Sequence, residues 1–283
     1  MRLSTKVNGA EVEIDLPGLR EKNYRAIRAQ MAKELERQQV KNRDVIANAF
    51  LYALQHAPKA NASDLWHHVV YRLYCELAAE HRSQDPKQSW VRASGDALEI
   101  SVQRIYTPML EPSGITIHAL VSRDDKRAAL REMGILGEVG GSKLDVELYL
   151  EMQDGRRIFG GVHVKASLAE RVSDDVPASR AMMKRGFLSP LWTLDVKSFP
   201  PPRGNLINRG ELGSPQSPSD KRQYIEQHGD FDNCYSANSR TVPSQSVTPS
   251  GKRVYTLNLS KQPDQFAQDV IARARSGRPG GRR

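Results

Sequence analysis

The chain has 283 residues, 39% of them apolar, and 42 lysines and arginines outweigh 33 aspartates and glutamates to leave a net charge of +9. That length and apolar share suffice for one large domain or two small ones and exclude an unfolded polyelectrolyte. No window approaches the roughly 18 uncharged apolar residues of a membrane span. Cys75 and Cys234 lie far apart with no metal-type spacing, which argues against a disulfide framework or a zinc site. The positive balance suits a polyanion, either nucleic acid or an anionic membrane surface.

In chain order, residues 5–16 alternate around Asn8-Gly9 and predict a small hairpin. The N-terminal segment carries charge throughout and has no apolar run of the signal-peptide kind, so a cytoplasmic protein is expected. Residues 21–39, 43–56 and 64–81 read as helices, the last with Ser63 as N-cap and a buried stripe of Leu65, Val69, Leu73 and Leu77. Tyr71, Tyr74 and Trp90 are read as packing residues. His67 and His68, about 100° apart on a helix, are read as structural rather than as a metal pair. A fourth helix is expected from about 94 to 110, a strand at 115–121 and a short helix near 125–133.

Two strands follow near 143–151 and 158–166, then a helical stretch around Met182, a strand at 191–197 and an irregular proline- and glycine-rich segment from 199. Strand 254–259 and a helix at about 263–275 end the folded part. Three regions result: a hairpin and helical region over 1–90, a core over 91–275, and a basic, disordered tail over 276–283 that adds phosphate affinity.

The chemistry concentrates in residues 143–175, KLDVELYLEMQDGRRIFGGVHVKASLAERVSDD. Asp154-Gly155 is a strong turn between two alternating runs. A three-residue loop would set Asp145 opposite Lys165. A two-residue loop would set it opposite Val164 and turn Lys165 away, because strand period is two. A bulge at Gly160-Gly161 could reset the register. A loop or bulge that brings Asp145 and Lys165 onto one face would assemble a carboxylate and an ammonium. Phosphodiester hydrolysis needs both, together with a hard cation such as Mg²⁺.

In the common nuclease arrangement the position two before the lysine is Asp or Glu, but here it is His163, a poor partner for Mg²⁺. The second carboxylate must come from elsewhere: Glu170, five residues after Lys165, is the first choice and Glu99 the second. Arg171, Asp174 and Asp175 could read C·G pairs, arginine donating to guanine O6 and N7 and aspartate accepting from cytosine N4. The plainer alternatives are a cross-strand ion pair at Asp145 and Lys165 and a solvated helix face at 171–175. Under them the chain is a DNA-binding protein without cleavage activity.

HVKASLAERVSDDVPASR and TLDVKSFPPPRGNLINRGELG, with SDLWHHVVYRLY and SWVRASGDALE, resemble the type II restriction endonucleases that cut at a CCGG core. The likeness runs with gaps from about residue 43 to 255. It implies an α/β fold with a PD-(D/E)XK-type nuclease core, a central mixed β-sheet flanked by helices and preceded by a helical N-terminal region. By this resemblance Asp145 is the hairpin carboxylate and a metal ligand, Lys165 the catalytic lysine, and Glu170 the relocated carboxylate and second metal ligand, with Glu99 completing the acidic set. Arg171 and Asp175 contact the central C·G pairs, and Arg92 and Lys197 the outer pairs or the backbone. The expected activity is Mg²⁺-dependent cleavage of double-stranded DNA at a palindrome such as A/CCGGT, leaving 5′ overhangs. A homodimer would act at that palindrome, with no nucleotide cofactor and no membrane. Another nuclease of the same catalytic class, repair or structure-specific, is the rival reading.

Overall fold

A computed structural model describes residues 1–7, 10–37, 39–82, 84–140, 144–153, 155–169, 172–197 and 207–277. Strands β1 (Arg2–Val7) and β2 (Ala10–Asp15) form the expected N-terminal hairpin, antiparallel from Arg2↔Asp15 to Val7↔Ala10; its Asn8-Gly9 turn lies outside the described residues. Helices α1 (Glu21–Leu35) and α2 (Asn42–His56) follow.

The third predicted helix is a composite of α3 (Ala62–Asp64), a π-helical stretch (Leu65–Val70) and α4 (Tyr71–His81). Its cap is Asn61, whose side chain accepts from the Ser63 N–H, in place of the expected Ser63. Helix α5 (Pro86–Leu110) starts eight residues before its expected position. Asp85 accepts from the Gln88 N–H and Pro86 sits in the first turn, a start signal that the polar run after it obscures. The helix therefore passes through the expected boundary between residues 90 and 91.

The central sheet is assembled from β3 (Ile115–Ala119), β4 (Val146–Met152), β5 (Gly155–Lys165), β6 (Leu191–Thr193), β9 (Cys234–Ser236) and β10 (Val254–Thr256). Between them lie α6 (Arg123–Glu132), α7 (Leu136–Val139), α8 (Val172–Lys184), the two-residue strands β7 (Gly213–Ser214) and β8 (Ser217–Pro218), and α9 (Asp220–Glu226). Helix α10 (Gln265–Arg275) closes the described chain. The spatial order is β10-β9-β6-β5-β4-β3. Strands β3, β4 and β5 are antiparallel, and β5, β6, β9 and β10 parallel, so the expected mixed sheet flanked by helices is present.

Neither expected hairpin register occurs. Met152 pairs with Gly155, and a one-residue shift between Leu148 and Tyr149 leaves Phe159 as the extra residue, so that Val146 pairs with Val162. Continued one step, this ladder sets Asp145 across from His163. Residues two apart share a face, so Asp145, His163 and Lys165 point the same way, and without the bulge Lys165 would face away from Asp145. Both glycines sit under close neighbours, Gly160 under backbone and Gly161 under side-chain ends that can shift. A Cβ on Gly160 would stand 2.7 Å from the Leu188 carbonyl oxygen, and one on Gly161 2.3 Å from a Leu144 methyl.

The main core lies between the helices and one face of the sheet, with Phe50, Trp66, Leu73, Leu98, Tyr106, Leu148 and Trp192 all at most 3% exposed. The predicted stripe of Leu65, Val69, Leu73 and Leu77 is part of it. Trp90 packs against Trp66, Tyr71 and Tyr74 at ring-centre distances of 5.1 to 5.7 Å, which confirms these aromatics as packing residues. Among the described residues no helix is long and apolar enough to cross a membrane.

Candidate active site

The end of β5, the residue before β4 and helices α5, α6 and α8 bring five charged side chains to one buried point. Lys165 Nζ lies 2.7 Å from Asp145 Oδ2 and 2.7 Å from Asp175 Oδ2. Asp145 also accepts from the Val164 N–H at 2.8 Å, which locks the carboxylate to the strand. Asp145 and Asp175 are 6% and 5% exposed. Glu99, buried on α5, lies 3.3 Å from Lys126 Nζ, and that ammonium is 3.2 Å from Asp145 Oδ1. Alternating charges thus run Glu99–Lys126–Asp145–Lys165–Asp175.

Each placement has a local origin. Helix α6 is capped by Ser122, whose hydroxyl accepts from the Asp125 N–H, and is seated by Ala129 and Leu130 in a cluster with Leu120 and Leu144. That seating delivers Lys126 to the sheet. His163, where the common arrangement has a carboxylate, is fully buried. Its Nε2 is 3.1 Å from Ser189 Oγ and its Nδ1 3.5 Å from Asp175 Oδ2, so the imidazole supports the α8 carboxylate from behind.

The electrostatics follow from the packing. Burial works to raise the pKa of Asp145, but the ammoniums of Lys165 and Lys126 outweigh it and hold the group below the usual carboxylate range. Asp175 is lowered in the same way: burial opposes, while His163 and Lys165 prevail. Glu99 is pushed up, first by burial and then by the Asp145 charge. Burial opposes the charge of Lys165 and of Lys126, yet their carboxylate neighbours raise both. Among the described residues no three carboxylate, imidazole or thiolate groups stand close enough to hold a metal ion. Ammonium groups separate the carboxylates instead. Glu99 Oε2 is nevertheless buried without a hydrogen-bond partner among the described residues. An orphaned hard oxygen that shares the Lys126 ammonium with the Asp145 carboxylate is donor chemistry that a cation such as Mg²⁺ takes from one or two carboxylates.

Of the expected site residues, Asp145, Lys165 and Glu99 come together here. Asp175, expected on a base-reading face, is instead ion-paired inside the cluster, whereas its neighbour Asp174 is exposed. Glu170 and Arg171 lie outside the described residues. Arg92 is exposed on α5, beside Lys41, Arg43 and Gln88 in an open hollow. It is seven residues before Glu99 and so on the same helix face, about 10 Å away. Lys197 donates its backbone N–H to Asn208 Oδ1 at 3.0 Å, and Asn208 Nδ2 donates to Ser63 Oγ at 2.7 Å. This ties Lys197 to the helical layer through Asn208; residues 198–206 lie outside the described residues. His67 and His68 are pushed down to about 4, chiefly by burial; their rings meet edge-on and His67 stacks on Tyr71, which suits packing residues.

Lys126 escaped the sequence reading, because its partners are 19 and 27 residues away and its neighbours Arg123, Asp124, Asp125 and Arg127 resemble a solvated helix face.

A mixed sheet carrying a buried carboxylate–lysine pair at the end of a bulged hairpin defines a nuclease core. The comparisons narrow the class. Residues 122–263 match the family described as BsaWI restriction endonuclease type 2. The type II restriction enzyme AgeI of Thalassovita gelatinovora is 47% identical over 272 residues, covering 93% of this chain and 96% of its own length. The crystal structure of a specific AgeI–DNA complex matches with a TM-score of 0.89 and 46% identity over 96% of this chain and 99% of that one. The chain belongs to the type II restriction endonucleases.

Proposed function

We propose that the protein hydrolyses double-stranded DNA in the cytoplasm, with Mg²⁺, at a palindrome with a CCGG core. We take A/CCGGT as the full site and a homodimer leaving 5′ overhangs as the acting form. The carrying observation is the Lys165 ammonium held at 2.7 Å between Asp145 and Asp175. The 47% identity to AgeI over nearly the whole chain supports the sequence-specific activity.

In this reading Asp145 and Glu99 would hold the cation, and Asp175, across Lys165 from Asp145, takes the part of second acidic residue first given to Glu170. When bound, the metal neutralises charge on the phosphate and makes water a better nucleophile. The chain does the rest. Asp145, fixed by the Val164 N–H, and Asp175, backed by His163, keep Lys165 charged and directed at the position of the scissile phosphate. There its ammonium orients water and balances developing negative charge. Arg171 and Asp174 read the central C·G pairs, and Arg92 and Lys197 meet the outer pairs or the backbone. The basic tail over 276–283 adds sequence-independent phosphate affinity.

The test is digestion of DNA of known sequence by purified protein with Mg²⁺, with an EDTA control and sequencing of the fragment ends. Discrete ends with 5′ overhangs at A/CCGGT are expected. A smear would remove the sequence specificity, and intact DNA in a binding-competent sample would remove the enzyme reading.

A further inference from the structure

Lys126 stands between Glu99 and Asp145, on the opposite side of Asp145 from Lys165 in the chain of ion pairs. Its side chain is 14% exposed. An ammonium at such depth persists only when paired, because its desolvation is otherwise uncompensated. Here the pairing is shared: each carboxylate offers one oxygen, and the second oxygen of Glu99 is left without a partner among the described residues. The lysine is also delivered by a seated helix, since α6 packs through Ala129 and Leu130 onto Leu144, the residue before Asp145. It is therefore part of the built site.

A divalent ion added beside both ammoniums would bring two further positive charges into a buried space, whereas exchange of one ammonium for the ion adds only one. Lys165 is gripped by two full ion pairs at 2.7 Å. Lys126 is held more loosely, at 3.2 and 3.3 Å, on a flexible four-carbon stem.

We propose that Lys126 is a built-in counter-cation, occupying the divalent-metal position between Glu99 and Asp145 in the DNA-free enzyme and yielding it when metal and DNA arrive. Resting on the metal-ligand roles proposed above, this assigns Lys126 as a positioning residue that keeps metal affinity low until DNA phosphates give the displaced ammonium a new partner. By linkage, each of DNA and metal strengthens the binding of the other.

The experiment is Mn²⁺ titration of the DNA-free full-length protein by calorimetry, for the wild type, Lys126→Met, Lys126→Gln, Lys126→Arg and Asp145→Asn. Removing the competing charge should tighten Mn²⁺ binding at least about tenfold in Lys126→Met and Lys126→Gln. Lys126→Arg, which keeps the charge, should stay near the wild type. A folded neutral variant that binds Mn²⁺ no more tightly than the wild type overturns the proposal. So does failure of both neutral variants to fold with Mn²⁺ present, since the ion should replace the lost ammonium. Asp145→Asn separates the two levels. If it leaves wild-type Mn²⁺ binding unchanged, the metal-ligand reading itself fails. If it abolishes binding while Lys126→Met gives no gain, only the counter-cation role fails.

Discussion

The helical layer around Phe50 and the charged end of the sheet around Asp145 bury side chains equally well by opposite means. In the first, Phe50 meets Trp66 edge-on at 5.0 Å and Trp66 meets Trp90 at 5.2 Å, with Leu73 and Ala78 filled in behind. Contacts of this kind are non-directional and stabilise in proportion to the apolar area removed from water. In the second, Asp145, Asp175, Glu99, Lys126 and Lys165 are held in a run of alternating ion pairs. Buried ion pairs contribute little net stability against an apolar filling of the same space. The contrast separates a region kept for folding from one kept for chemistry, and substitutions in the two should divide accordingly.

The largest effect belongs to Lys165→Ala. Cleavage should fall by about 10⁴-fold, equivalent to about 5.5 kcal/mol of barrier, while DNA binding by gel shift survives. Cutting at more than a tenth of the wild-type rate would return Asp145 and Lys165 to a plain ion pair. Phe50→Ala should do the reverse, costing about 3 to 5 kcal/mol of stability in denaturant unfolding with cleavage per folded molecule unchanged. A loss of specific activity in the folded fraction would erase the division.

Asp195 sharpens the contrast, since it is a buried carboxylate with no cationic partner among the described residues. It sits at positive φ, and its oxygens accept from the Glu211 N–H at 2.7 Å and the Thr241 hydroxyl at 2.6 Å. Burial, partly offset by those hydrogen bonds, pushes it up to about 6 from 3.8. A raised folded-state value means that the contribution is full below about pH 4 and is lost as pH rises through about 6. The wild type should therefore lose up to about 3 kcal/mol relative to Asp195→Asn across that window, as read from unfolding curves at fixed pH values. A pH-independent difference would contradict it. Arg92→Ala should have the smallest effect, about tenfold in DNA affinity with a shallower salt dependence and an unchanged cleavage position.

How far the sequence disclosed these features depends on how local each one is. The hairpin was legible because Asp154-Gly155 separates two alternating runs, and Asp145, Lys165 and Glu99 were legible as chemistry-bearing types at its end or on a neighbouring helix. The register was not, because the bulge at Phe159 answers to Leu188, which packs against Gly160 from a distant loop. Strands β6, β9 and β10 have three residues each, too few to show a period, and β9 was missed altogether. Asp175 was misleading for the same reason. Arg171 and Asp174 beside it in sequence point to base reading, whereas its burial against His163 and Lys165 is set by how α8 docks on β5.

Asp175→Asn, assayed for cleavage and for binding on A/CCGGT-containing DNA and on single-base variants of that site, tests the account most directly. Asp175 as the second carboxylate predicts cleavage reduced by at least about 10³-fold with the same sequence preference in binding. Retained cleavage with relaxed preference at a C·G pair would make Asp175 a base reader and leave the buried cluster without its second acid.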